Sequence, residues 1–281
     1  MHVRIGFDLL YDVPSPQVMV LMLLVHPERA GDLLQPEKII TEPVLPQDVF
    51  LDGFGNRAVR ILAPAGKLRI LYDNVIADSG MPEPTIEGAR LHPVQELPSK
   101  CLPFLLSSRY CEVDRLSQQA WDLFGKTPAT FERVTAVIDW VHKHITFGYQ
   151  HARPTKTAQD VWYEQLGVCR DFQHLAITLL RALNIPARYA TGYLGDIGVP
   201  FNPSPMDFSA WLEVYLGGRW YALDARHNHP RIARVLIARG RDATDVAITT
   251  SFGPTTMELF KVWTDEIAEA PPAPRGIATT S

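Results

Sequence analysis

The sequence predicts an α+β chain, in which an all-β sandwich is followed by helices packed on an antiparallel sheet. Three observations carry this expectation. Val3, Ile5, Phe7 and Leu9 alternate with polar or small residues near the start, the period of a half-buried strand. After Ser107, apolar positions recur every three or four residues, the period of a helix. Later, two apolar runs flank Gly217-Gly218, a hairpin signal. The predicted divisions are a β-sandwich over 1–95, an α+β domain over 96–267 and a flexible tail over 268–281.

The elements follow in order. The continuous apolar run 18–25 predicts a strand covered on both faces. Asp52-Gly53-Phe54-Gly55-Asn56 marks a turn between strands around 49–51 and 58–62, and a further strand over 68–76 follows Pro64-Ala65-Gly66. Pro82, Pro84, Pro93 and Pro98 punctuate a linker. Val113, Leu116, Ala120, Leu123 and Phe124 form the stripe of a first helix. Thr127 as N-cap with Pro128 at the first helical position opens a second, which carries Phe131, Val134, Val137, Ile138, Val141 and Ile145. A third begins near Gly167, carries Phe172, Leu175, Ala176, Leu179, Leu180 and Leu183, and stops at Asn184-Ile185-Pro186. Strands over 187–193, 208–216 and 219–224 complete the domain. Ala-Glu-Ala-Pro-Pro-Ala-Pro after Ile267 lacks the apolar content to pack a core.

Composition narrows the function classes. The chain has 281 residues, 31 acidic against 27 basic side chains, a formal charge of −4 and three cysteines. That balance argues against broad electrostatic binding of nucleic acid or an anionic membrane. The start lacks the apolar core and cleavage site of a signal peptide, and the longest apolar run falls far short of the ~20 residues that span a bilayer. A cytoplasmic location with reduced thiols is expected. The cysteines lack zinc-site spacing, so no metal and no cofactor is expected.

Cys169 lies in the first turn of the third helix, within about 40° of the centre of its apolar stripe. Unpaired backbone N–H groups and the helix dipole there favour a thiolate, so a lowered thiol pKa is expected. Core packing alone would account for the same placement. Cys101 and Cys111 have no such context and read as structural. A nucleophilic thiolate also needs a base held by a third group. His174 falls on the polar face with Arg170 and Arg181 and suits a cap or a pairing with another element better than that role. A hairpin symmetric about Gly217-Gly218 sets Leu216 opposite Arg219 and Trp211 opposite Asp224, so Ser209, Trp211 and Glu213 share a face with Asp224 and Arg226. Ser209 and Asp224 then lie roughly 7–8 Å apart on a diagonal.

The stretch Gly167-Val168-Cys169-Arg170-Asp171-Phe172-Gln173-His174-Leu175, continued by Arg181-Ala182-Leu183-Asn184-Ile185-Pro186-Ala187-Arg188-Tyr189-Ala190-Thr191-Gly192-Tyr193, resembles the transglutaminase-like core of bacterial proteins. Asp207-Phe208-Ser209-Ala210-Trp211-Leu212-Glu213-Val214 and Trp220-Tyr221-Ala222-Leu223-Asp224-Ala225-Arg226 resemble its His-Ala-Trp and Asp strands. Ser107-Ser108-Arg109-Tyr110 and the β-rich start fit the two-domain bacterial form. The resemblance covers about residues 100–265 and implies a papain-like cysteine site, with Cys169 as nucleophile and Asp224 as the orienting acid. Its histidine does not carry over, because Ser209 occupies that place. A serine hydroxyl is far too weak a base to hold a proton near neutral pH.

Three alternatives stay open. The fold has lost acyl transfer; another histidine, with His227 the first candidate, curls back as base; or a specialised reaction uses Cys169 with Ser209, Glu213 or the substrate. The leading expectation is a thiol acyl-transfer protein, a cysteine protease or amidase acting on a peptide or protein substrate. The alternative is a catalytically inactive binding or scaffold protein. Trp162 and Trp211 are candidates for substrate contact, with packing as their competing role. Arg231, Arg234, Arg239 and Arg241, near Asp242 and Asp245, read as a solvated or intradomain ion-pair face.

Overall fold

A computed structural model describes residues 1–83, 89–200, 202–203 and 206–268. Pro84 of the expected linker and the tail beyond Ala268 lie outside the described residues. The first part comprises β1 (His2–Val13), β2 (Gln17–Leu21), the short α1 (Pro27–Ala30), β3 (Ile40–Glu42), β4 (Asp48–Leu51), β5 (Arg57–Ala63) and β6 (Gly66–Ala77). The second comprises α2 (Val113–Phe124), α3 (Phe131–His144), β7 (Thr146–Phe147), α4 (Ala158–Glu164), β8 (Leu166–Gly167) and α5 (Cys169–Ala182). The hairpin region follows with β9 (Ala187–Tyr193), β10 (Ser209–Leu216), β11 (Arg219–Leu223) and β12 (Val235–Gly240), and the described chain closes with β13 (Thr249–Ser251) and β14 (Thr256–Ile267).

Two antiparallel sheets, ordered β14-β1-β6-β3 and β13-β2-β5-β4, make the sandwich, and a third, β11-β10-β9-β12, carries the helices. The last two strands return to the first sheets: Thr249–Ser251 pairs with β2, and β14 runs antiparallel to β1 from Ile267↔His2 to Thr256↔Asp12. Residues 249–267, expected with the second domain, thus complete the sandwich by pairings that only long-range register reveals. One apolar cluster runs through both parts, and Phe7 of β1 meets Phe208, just before β10, at 6.0 Å between ring centroids. Asn56 is fully buried and exchanges two hydrogen bonds with the Arg239 backbone, 2.7 and 2.8 Å, which fastens β12 to the sandwich.

Several local expectations change. The run 18–25 is not a strand covered on both faces. Pairing stops at Leu21, Val18 is exposed on the outer side of β2, and Met22, Leu23, Leu24 and Val25 are buried without strand structure. The second helix begins three residues later than Thr127-Pro128 suggests, because Thr130 caps it by accepting the Glu132 N–H at 3.3 Å. On α5 the expected polar face is interior: Gln173, His174, Thr178 and Arg181 are all essentially inaccessible. α2, α3 and α4 pack around this helix and β9 and β10 lie beneath it, so its polar groups must find protein partners. Arg181 does so on the carbonyls of Leu106, Ala187 and Arg241.

The hairpin register holds as expected, from Leu216↔Arg219 to Leu212↔Leu223. Gly217 and Gly218 have φ of +52° and +91°, which a two-residue hairpin turn of this kind demands. Among the described residues, no helix is long and apolar enough to cross a membrane.

Candidate active site

Cys169 is the first residue of α5, and its side chain lines two cavities that meet there. One, about 340 Å³, has a mixed wall whose polar part includes Asp196, Asp207, Ser209, Arg226, His227 and Arg231. The other, about 480 Å³, is largely apolar, with Pro154, Val168, Ala210, Val246, Ile248 and Phe260 among its lining. The helix start is fixed by Asp171, whose carboxylate accepts the Val168 N–H at 2.9 Å.

The thiol is not acidified as its place at a helix start suggested. Burial, then the nearby Asp207 carboxylate, push it up to about 11, against the weaker opposing pull of Arg226 and the Arg170 backbone. The resting residue is a neutral thiol. Among the described residues it forms no hydrogen bond with Ser209 or His227. Cys111 is fully buried, leans its sulfur on the His174 carbonyl at 3.7 Å and is likewise pushed up to about 11 by burial. Cys101 is also buried, in a small cluster with Leu97 and Tyr215.

Across the cleft, β11 ends at Leu223 and the chain turns at Asp224, whose carbonyl accepts Asn228 N–H at 2.8 Å. That turn brings His227 back onto Asp224: ring Nδ1 lies 2.7 Å from Oδ2. The other carboxylate oxygen accepts Gln173 Nε2 at 3.0 Å, Arg226 N–H at 2.9 Å and His227 N–H at 3.2 Å. The Arg234 guanidinium stands 3.9 Å from Oδ2. Burial alone would raise this carboxyl, but the His227 contact and the surrounding donors and charges hold it far below the ordinary carboxylate range. Ionised Asp224 can only accept, so a neutral His227 donates from Nδ1 and leaves Nε2 with its lone pair.

The structure therefore gathers Cys169, Ser209 and His227 around one cavity, with Asp224 behind His227. Ser209 opens β10, opposite Gly192 of β9. His229 bonds the His227 carbonyl through its Nδ1 at 2.8 Å and does not line either cavity. Trp162 and Trp211 line neither cavity. Trp162 stacks on Trp140 at 4.9 Å between centroids, and Trp211 is buried with Ala190 and Leu236 beneath Arg234.

His174 is buried against Tyr110, rings stacked at 5.0 Å, and its Nε2 accepts Ala243 N–H at 3.1 Å, so burial keeps it neutral far below its ordinary range. The arginine run forms intradomain pairs: Arg231 with Asp196, Arg234 with Asp224, Arg239 with Glu213 and Glu28, and Arg241 with Asp245. Only Arg241 of the four keeps a largely solvated side chain. Sequence reasoning missed Gln173, which also accepts Ala225 N–H at 3.2 Å, and Asp207, which sits in both cavities. Gln173 lies four residues after Cys169 on α5, a helical neighbour spacing that points to it in retrospect.

The sequence pattern of the transglutaminase-like superfamily matches residues 118–225. A solved structure from Cytophaga hutchinsonii, described as a candidate cysteine protease, superposes with a TM-score of 0.82 at 31% identity over 97% of this chain and 93% of that one. An uncharacterized protein of Mycobacterium leprae is 22% identical over 216 residues, 75% of this chain and 77% of its own length. Another, from Mycobacterium bovis, is 26% identical over 215 residues, 69% of this chain and 68% of its own. With its mixed α+β architecture and a cysteine-bearing helix on an antiparallel sheet, the chain belongs to the transglutaminase-like superfamily.

Proposed function

We propose that the protein is a thiol acyl-transfer enzyme acting on peptide amides, a protease or amidase, with His227 rather than the residue at position 209 as its base. The observation that carries this reading is the Asp224–His227 contact at 2.7 Å in a wall of the cavity that Cys169 lines. Asp224 fixes the ring tautomer, so Nε2 is the nitrogen able to take a proton. Cys169 is a neutral thiol at rest, so attack is general-base assisted rather than carried by a preformed thiolate–imidazolium pair. Cys169 Sγ bonds the amide carbonyl carbon while its proton passes to His227. The C–N bond then breaks, the amine leaves with that proton, and a thioester remains. Water, deprotonated by His227, cleaves the thioester and regenerates the thiol. Ser209 is left a polar lining residue, since its hydroxyl cannot hold the proton.

One specific observation favours a second reading, an inactive protein that binds a peptide-like ligand in the cleft. The thiol is held neutral and carries no hydrogen bond to an imidazole among the described residues. Turnover separates the two. A mixture of synthetic peptides is incubated with the protein and read by mass spectrometry for cleaved amides. The enzyme reading expects cleavage that vanishes in Cys169→Ala, falls by roughly 10²–10⁴ in His227→Gln and survives in Ser209→Ala. Absence of cleavage by folded protein, or equal cleavage by His227→Gln, overturns it.

A further inference from the structure

The two cavities that meet at Cys169 offer a substrate different surroundings, and the proposed chemistry uses only one of them. Among the described residues, Ser209 and His227 line the smaller cavity and not the larger, whereas Ala210 lines the larger and not the smaller. The strand accounts for the split. Successive side chains of β10 point to opposite faces, so Ser209 and Ala210 turn away from each other.

The larger cavity, about 480 Å³, has little polar chemistry left to offer. Ala210 stands opposite Thr191 of β9, and Thr191 shares its face with Tyr189, so these three form one wall. The Thr191 hydroxyl is already engaged, donating to the Ser209 carbonyl at 3.0 Å. Two arginines of the lining, Arg153 and Arg170, are paired with Glu164 at 2.7 Å and Asp171 at 3.2 Å. Ala152, Ala243 and Ala247 add three more short side chains, and Ile248 and Phe260 add larger apolar surface. The short side chains leave the volume open. An apolar space of this size beside a nucleophile suits an apolar group, whose burial there removes both surfaces from water.

The position of the base assigns the cavities to the two halves of the substrate. The amine leaves with the proton that His227 carries, so its nitrogen must come within hydrogen-bond reach of that ring. The leaving half therefore lies on the His227 side, in the smaller cavity. The acyl half extends from the thiol in the other direction, where it meets the larger cavity.

Resting on the acyl-transfer reading, we propose that the larger cavity is the acyl-side subsite and takes a large apolar side chain from the residue that supplies the attacked carbonyl. The amides cleaved are then those that follow an aromatic or large aliphatic residue. Ala210 and Ala247 set this specificity by being small, and neither touches the reacting atoms.

Chloromethyl ketones of single acetylated amino acids test the subsite without turnover. Their ketone takes the place of the acyl carbonyl. Cys169 Sγ bonds the methylene carbon, the C–Cl bond breaks, chloride leaves and the thiol proton passes to the buffer. The N-acetyl phenylalanine, leucine, alanine and lysine reagents are compared by intact mass with peptide mapping of Cys169. Each rate is divided by the rate of the same reagent with N-acetylcysteine, which removes intrinsic reactivity. The subsite predicts that the phenylalanine or leucine reagent alkylates at least about tenfold faster than the alanine reagent, and that the lysine reagent gains nothing over alanine. Ala210→Leu and Ala247→Leu, each checked by thermal melt, are expected to bring that ratio to within about threefold of one by filling the cavity. Ala247 is half-buried in an irregular segment, so its variant keeps the test decisive where Ala210→Leu, on a buried strand, fails to fold. A ratio near one in the wild type, or a ratio unchanged in folded Ala247→Leu, overturns the subsite. Apolar preference without any peptide cleavage keeps the cavity as an apolar subsite and removes the enzyme reading; cleavage with equal alkylation rates does the reverse.

Discussion

The two walls of the cleft are built differently. On the hairpin wall, Asp224 accepts four hydrogen bonds, from Gln173, Arg226 and twice from His227, and lies near Arg234 as well. On the helix wall, the Cys169 thiol has no comparable partner and is pushed up to about 11 by its enclosure and by Asp207. The histidine and its acid are assembled in the resting protein, whereas the thiol is held neutral. A cysteine at a helix start is thus not acidified by the helix dipole alone. Worth at most a couple of kcal/mol even in favourable geometry, the dipole loses here to burial and a neighbouring carboxylate.

The largest break in this comparison comes from Asp224→Ala. Removing it strips the buried donors of Gln173, Arg226 and His227 of their acceptor and leaves Arg234 without its carboxylate, so stability falls by about 3–5 kcal/mol, measured by denaturant unfolding. A loss below about 1 kcal/mol would show that the hairpin wall is not held by that network. The thiol wall is tested by the pH dependence of Cys169 alkylation. With the thiol at about 11, the rate climbs about tenfold per pH unit through neutral and mildly alkaline pH, without a plateau. A plateau near neutral pH would mean a preformed thiolate and erase the contrast between the walls.

A smaller effect lies away from the cleft, where His26 is buried beside Arg239 and pushed down to about 4, chiefly by burial. Between about 6.5 and 4 the unfolded chain binds a proton at this site that the folded chain refuses, so stability is full above that window and falls as pH drops through it, by up to about 3 kcal/mol. His26→Asn retains an acceptor for the Glu28 N–H and is expected to flatten that part of the stability–pH curve. An unchanged slope would place the titration elsewhere.

Much of the site was legible because it rests on local signals. Helical spacing placed Cys169 at the start of α5, and the two-glycine turn fixed the register that brings Asp224 to the cleft. His227 was harder, since alternation along a continuing strand would have turned it away. The strand stops at Leu223, and the turn returns the imidazole to Asp224. Burial of His174 and Arg181 and the pairing of β14 with β1 were not legible. Each depends on elements at least 60 positions away that pack against the residue, and no local period encodes such packing.

The most direct test of the account is acylation of Cys169 by p-nitrophenyl acetate near neutral pH, followed as p-nitrophenol release and by intact mass. His227 as base predicts a single acetyl on Cys169, formed at least about 100-fold more slowly in His227→Gln and at nearly the wild-type rate in Ser209→Ala. Equal rates in wild type and His227→Gln, with Ser209→Ala the slow variant, would contradict it.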